Sequence, residues 1–169
     1  MPLAALAWLF TVGVLLHNLE EALWLPAWST RAGRWYRPVA APVFRFAAAV
    51  LSLAFLVLTL AAGWSPPGSV AAYLMAGYVL AMVLNVVAPH VLATIALRRY
   101  MPGTATAVLL NLPLGLLYLR QALAERFVEL QVFRWAGPLV VVGLLAALPT
   151  LFALARAVCR TQAASRGVR

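Results

Sequence analysis

The sequence predicts an all-α fold: a polytopic membrane helix bundle of about five spans forming a single domain over residues 1–169. Three observations carry this. Hydrophobic residues fill 65% of the chain, charged residues only 10%, and mean hydropathy is +0.95. Soluble domains carry roughly 25% charged residues. Apolar runs recur at about the twenty-residue length that crosses a bilayer, and short turn-forming segments separate them. A soluble globular enzyme and a disordered tail are excluded, and no room is left for a second, soluble domain.

The spans are read at about residues 3–25, 43–63, 70–97, 104–119 and 138–158. The first has no basic flank, and a His and two Glu interrupt its apolar run, so no cleavable signal is expected. The second and fifth are almost pure Ala, Leu and Val and read as scaffold, with Pro149 a kink site. Trp64-Ser65-Pro66-Pro67-Gly68 ends the second, and Tyr100-Met101-Pro102-Gly103 separates the third from the fourth. The fourth is short and runs on toward Arg120. The stretch Ala122 to Trp135 reads as an amphipathic helix lying on the outer surface. No internal repeat is evident.

There are 13 basic residues against 4 acidic ones, all the basic ones Arg, for a net charge of +9. Arginines gather in the first loop (Arg31, Arg34, Arg37), the third (Arg98, Arg99) and the tail (Arg156, Arg160, Arg166, Arg169). The positive-inside rule then places the N-terminus out and the C-terminus in. The fourth loop dissents, with Arg120, Arg126 and Arg134 offset by Glu125 and Glu129, which read as a solvated face. No basic segment is long enough for a nucleic-acid arm, so nucleic acid is not an expected partner; the lipid bilayer is. Trp35 and Tyr36 read as interfacial anchors. The single cysteine, Cys159, excludes an internal disulfide and a multi-cysteine metal site.

The rare polar residues fall together. His17, Glu20 and Glu21 lie in span one, Asn85 and His90 in span three, Asn111 in span four. At 1.5 Å per residue from the cytoplasmic end of each span, His17, His90 and Asn111 sit roughly 12–13 Å deep, Glu20 and Glu21 roughly 8–9 Å, and Asn85 roughly 20 Å. Ionisable groups within a membrane are costly and are functional-site candidates by default. His17, Glu20 and Glu21 share one helix face at i, i+3 and i+4. Asn85 and His90 point about 140° apart on a regular helix. Pro89 intervenes, and a kink or π-bulge there would bring them together.

His17-Asn18-Leu19-Glu20-Glu21 resembles the signature of the HXXEE family of small bacterial membrane proteins. The resemblance extends to Trp24-Leu25-Pro26, to Asn85 and His90, and to Arg99-Tyr100-Met101-Pro102-Gly103. It implies a membrane fold with a polar site in the bacterial inner (cytoplasmic) membrane, and implies no reaction, the family being a domain of unknown function.

Three readings of the polar layer follow. In the first, His17, His90 and Glu21 ligate a divalent metal such as zinc, with a position left for water. One glutamate of the Glu20–Glu21 pair is the ligand and the other serves as general base, and Asn85 or Asn111 orients a ligand or stabilises an oxyanion. The substrate is a lipid, an isoprenoid or another membrane-embedded molecule. The pattern lacks the second histidine of the inverted zincins. It also lacks the arginine of the Glu-Glu-x-x-x-Arg prenyl-protein proteases, position 25 being Leu25. In the second reading the cluster is the proton relay of a transporter or the site of a small-molecule binder. A chain this small would then act as an oligomer. In the third the cluster is structural: the histidines bond other helices, and Glu20 and Glu21 pair with Arg31 or Arg98. Tyr100 and Thr106 read as turn and cap residues.

Overall fold

The computed structural model describes residues 1–33 and 36–166. The expectations for Arg34, Trp35 and Arg169 lie outside the described residues. Among the described residues, five helices are long and apolar enough to cross a membrane: α1 (Leu3–Ser29), α2 (Ala41–Gly63), α3 (Val70–Ala96), α4 (Thr104–Ala124) and α5 (Leu130–Arg166). No strand occurs among the described residues.

α1 is apolar on all sides, as a helix between protein and lipid must be. Its inward stripe is Leu6, Phe10, Gly13, Val14, His17 and Leu25, at helical spacing. Trp8, Leu9, Val12, Leu16, Leu19 and Leu23 face outward and are exposed. Pro42 opens α2, where its missing donor costs nothing. Lipid supplies no hydrophobic drive between helices, so close packing and polar contacts hold the bundle. Thr11 and Thr59 share a 2.8 Å hydroxyl bond between α1 and α2, and Asn18 Nδ2 donates to Ser52 Oγ at 2.9 Å. Small residues allow close approach. A Cβ at Gly77 of α3 would lie 2.5 Å from Val140 Cβ of α5.

One core cluster, around Phe10, Phe55, Tyr78 and Tyr118, fills the end near the N-terminus. Phe55 stacks on Tyr78 with centroids 4.3 Å apart. At that end the second and fourth turns meet, where Gly68 N donates to Phe127 O at 2.9 Å. A second cluster, with Leu25, Trp28, Phe44 and Met101, fills the other end. The polar residues of α1 lie between the two.

α3 and α4 depart from α-helical winding where the polar residues occur. α3 has a π-helical turn over Val86–Val91, with Ala88 non-helical (φ −126°, ψ 115°) and a cis Ala88–Pro89 bond. α4 has a π-helical turn over Ala107–Asn111. In a π turn, residues five apart come round to one face.

Several expected boundaries are corrected. α1 continues past Leu25 to Ser29, and α4 runs to Ala124 rather than ending at Leu119. α5 starts at Leu130, not Pro138, and contains both Pro138 and Pro149. The surface helix expected over Ala122 to Trp135 is instead the end of α4, a turn over 125–129 and the first residues of α5. Ala122, Val128, Phe133 and Ala136 are buried, which pulls this stretch into the bundle. The turn closes as a Schellman motif: Phe127 N donates to Ala122 O (2.8 Å) and Arg126 N to Leu123 O (3.2 Å). Arg126 takes the left-handed position at φ 53°. α3 ends the same way on Arg98 (φ 47°), with Arg99 N on Thr94 O and Arg98 N on Ile95 O.

Candidate functional site

The i, i+4 spacing on α1 stacks His17 over Glu21, and the bend in α3 carries His90 against both. His17 and His90 meet edge to face with ring centroids 4.8 Å apart, inside the roughly 8 Å within which one metal or one water chain can bridge them. His90 Nε2 lies 3.4 Å from Glu21 Oε1, and His17 Nε2 lies 3.8 Å from Glu21 Oε2. One ligand atom from each of the three residues falls within 4.8 Å of the others. His17 and His90 are fully buried, and Glu21 is 17% exposed.

Gly103 seats this cluster. It adopts φ +92°, and a Cβ there would lie 2.6 Å from His90 Cε1 and 3.0 Å from both Glu21 Cγ and His17 Cε1. Only glycine allows the turn between α3 and α4 to close so tightly on two imidazoles and a carboxylate.

His17 Nδ1 is 3.1 Å from Gly103 O and 3.1 Å from Thr106 Oγ1. The carbonyl can only accept, so Nδ1 carries the proton and Nε2 presents a lone pair. Asn85 Nδ2 donates toward that Nε2 at 3.4 Å. The break at Ala88 therefore brings Asn85 and His90 to one side of α3, both against His17, as the bend at Pro89 suggested. His90 differs: neither of its ring nitrogens has a hydrogen-bond partner. Two unsatisfied polar atoms on a fully buried ring are costly.

Glu20 points away from Glu21. Its Oε2 accepts from Thr106 Oγ1 at 2.7 Å and from Thr106 N at 3.4 Å. Its Oε1 accepts from the Tyr100 hydroxyl, which accepts in turn from Ala105 N at 3.1 Å. Partial burial and then the bond to Glu20 hold the Tyr100 phenol above its ordinary range. Tyr100 and Thr106, expected as turn and cap residues, are thus the partners of a motif glutamate; the cap position belongs to Gly103. The signal available for them was the Arg-Tyr-x-Pro-Gly stretch. Among the described residues, neither Glu20 nor Glu21 pairs with an arginine.

Asn111 stands apart. It is fully buried in the π turn of α4, its Oδ1 facing Gly13 of α1, and neither side-chain polar atom is hydrogen bonded. It does not line the cavity beside the His–Glu cluster.

That cavity has a volume of about 610 Å³. His17, Asn18, Glu21 and Asn85 give it a polar end, and Leu25, Phe44, Tyr78, Met82, Leu144 and Phe152 line its apolar body. Its wall includes Leu84, Val87 and Leu145, which are exposed on the outer face of α3 and α5. The opening is therefore lateral.

Fold and site together define an apolar helical bundle with a buried His–Glu cluster at the head of a lateral cavity. The chain belongs to the HXXEE family: the family model described as "protein of unknown function with HXXEE motif" matches residues 8–118. It is also similar to a Bacillus subtilis (strain 168) protein described as uncharacterized protein YrkK, at 32% identity over 143 residues, covering 85% of this chain and 90% of the relative. No solved structure matches.

Proposed function

We propose that the protein is a metal-dependent enzyme of the bacterial cytoplasmic membrane acting on a lipid or other membrane-embedded substrate. One observation carries the reading: His17, His90 and Glu21 converge, and two of them, His17 and Glu21, line the polar end of a lateral apolar cavity. Tetrahedral zinc holds ligand atoms about 3.3–3.5 Å from one another, given bonds of about 2.0–2.2 Å. The 3.4 Å between His90 Nε2 and Glu21 Oε1 fits this; His17 Nε2 lies 3.8 Å from the other carboxylate oxygen, Oε2, and the three ligand atoms fall within 4.8 Å of one another, so side-chain rotation must draw the set together on an ion. The unbonded nitrogens of His90 and the lone pair on His17 Nε2 are what ligands present. A bound divalent ion supplies a Lewis acid and an activated water. His17, Glu21 and His90 would hold the ion, Asn85 would orient the reacting group, and the cavity would take the apolar part of the substrate from the bilayer.

The arginines of the first and third loops and the tail support a site nearer the cytoplasmic face, with the N-terminus outside. The test is to purify the protein in detergent without a His tag and measure bound metal by mass spectrometry. One metal per chain, lost in His17→Ala/His90→Ala, is the expected result. No metal after incubation with zinc, iron and manganese overturns the reading. One feature favours a second reading, proton-coupled transport or small-molecule binding: the interruption of α3 beside the cluster resembles the broken helices of carriers. A pH-dependent flux into vesicles, absent in His17→Ala, would establish it.

A further inference from the structure

We infer that the two glutamates of the motif have separate tasks: Glu21 faces the ligand position, while Glu20 is a positioning residue that acts on His17 through Thr106. The inference rests on the metal-site reading above for its purpose, but on hydrogen-bond geometry alone for its content.

The Thr106 hydroxyl has one proton and two acceptors in reach, Glu20 Oε2 at 2.7 Å and Gly103 O at 3.1 Å. The shorter contact goes to the carboxylate, and bonds to an ionised acceptor are about twice as strong as neutral ones. With its proton committed to Glu20, Thr106 Oγ1 turns a lone pair toward His17 Nδ1 at 3.1 Å. Gly103 O, also 3.1 Å from Nδ1, accepts from the same N–H. Two acceptors on Nδ1 fix the tautomer and leave Nε2 unprotonated, on the side of Glu21, Asn85 and His90. Outer partners of this kind set the orientation and basicity of ligating histidines. Tyr100 and Thr106 N occupy the remaining contacts of Glu20, so its carboxylate is held on the far side of His17 from the ligand position.

A glutamine at position 20 would undo this. Its amide can donate to Thr106 Oγ1, which frees the threonine proton to turn toward Nδ1 and favours the other tautomer.

The chain has only two histidines, so ¹⁵N-histidine labelling gives two sets of ring signals, and His90→Ala assigns them. In the metal-free wild type we expect His17 protonated at Nδ1. Glu20→Gln should shift its population toward Nε2–H and, with zinc, weaken affinity about 10–100-fold. Thr106→Val should weaken zinc binding to a similar extent, and Thr106→Ser should restore it. An unchanged His17 tautomer and unchanged zinc affinity in both Glu20→Gln and Thr106→Val would overturn the inference. So would complete loss of zinc in Glu20→Gln, equal to that in Glu21→Gln, because Glu20 would then be a ligand. If the wild type binds no metal, the metal-site reading fails alone, and the tautomer signals still decide the role of Glu20.

Discussion

Replacing Gly103 by alanine tests whether the turn between α3 and α4 is built around the His–Glu cluster. Two costs arise. Any L-residue at φ +92° carries left-handed strain of about 1–2 kcal/mol. The new methyl also sits 2.6 Å from His90 Cε1, where ordinary contact begins at 3.4 Å. The ring must retreat by about 0.8 Å, and overpacking of this kind costs about 1–3 kcal/mol. Gly68 is the control: its φ is +75°, yet nothing lies within 4 Å of the Cβ position, so Gly68→Ala carries the strain alone. At about 2–4 °C per kcal/mol for a chain of this size, thermal unfolding in detergent should fall by roughly 2–8 °C for Gly68→Ala. Gly103→Ala should fall by roughly 2–12 °C more. Metal sites tolerate ligand displacements of about 0.2 Å, so Gly103→Ala should also lose at least about tenfold in zinc affinity, read by competition with a chromophoric chelator. Gly68→Ala should bind as the wild type does. Equal unfolding temperatures for the two variants, with zinc affinity intact in both, would refute the packing argument.

Other perturbations have definite signs. Arg126→Gly should stabilise the protein by about 0.5–1 kcal/mol, because glycine relieves the left-handed strain at φ 53°; equilibrium unfolding in mixed micelles measures it. Gly77→Ala should destabilise by about 1–3 kcal/mol in the same assay, since its methyl enters the Val140 side chain. Thr59→Val should cost about 0.6–1.7 kcal/mol through the lost bond to Thr11, and Thr11→Val/Thr59→Val should cost less than the sum of the single changes. Asn85→Ala should weaken zinc binding without changing the unfolding temperature by more than about 2 °C, as Asn85 is half-buried, lines the cavity and makes one side-chain hydrogen bond, to His17.

The bundle was legible because membrane spans are announced by composition, which needs no knowledge of neighbours. The helix ends were less so. The usual marker of a helix C-terminus is glycine, and here Arg98 and Arg126 occupy the left-handed positions, so two Schellman motifs carried no glycine signal. Of the site, His17 and Glu21 followed from helical spacing, and His90 from a count of depth along α3. Depth gives a layer but not a direction, which is why Asn111, in the same layer, faces Gly13 rather than the cavity. The Arg-Tyr-x-Pro-Gly stretch marked Tyr100 and Gly103, but their role and that of Thr106 escaped because it comes from the turn folding back on α1, a tertiary contact.

The π turns bear on which length changes the chain can absorb. α3 breaks at the non-helical Ala88, which brings Asn85 and His90 to a common face, and α4 winds wider over Ala107–Asn111. Deleting one residue within 86–89 would change the angle across the break at Ala88 and turn everything beyond it, by about the 100° that one residue contributes on a helix. His90 would leave the cluster although no site residue had been removed. Insertions in the turn at 64–69 would carry no such penalty, because that turn ends at the opposite face of the bundle. Aligned relatives with the same site should therefore vary in length at the turn over 64–69 and keep an invariant residue count from Asn85 to His90.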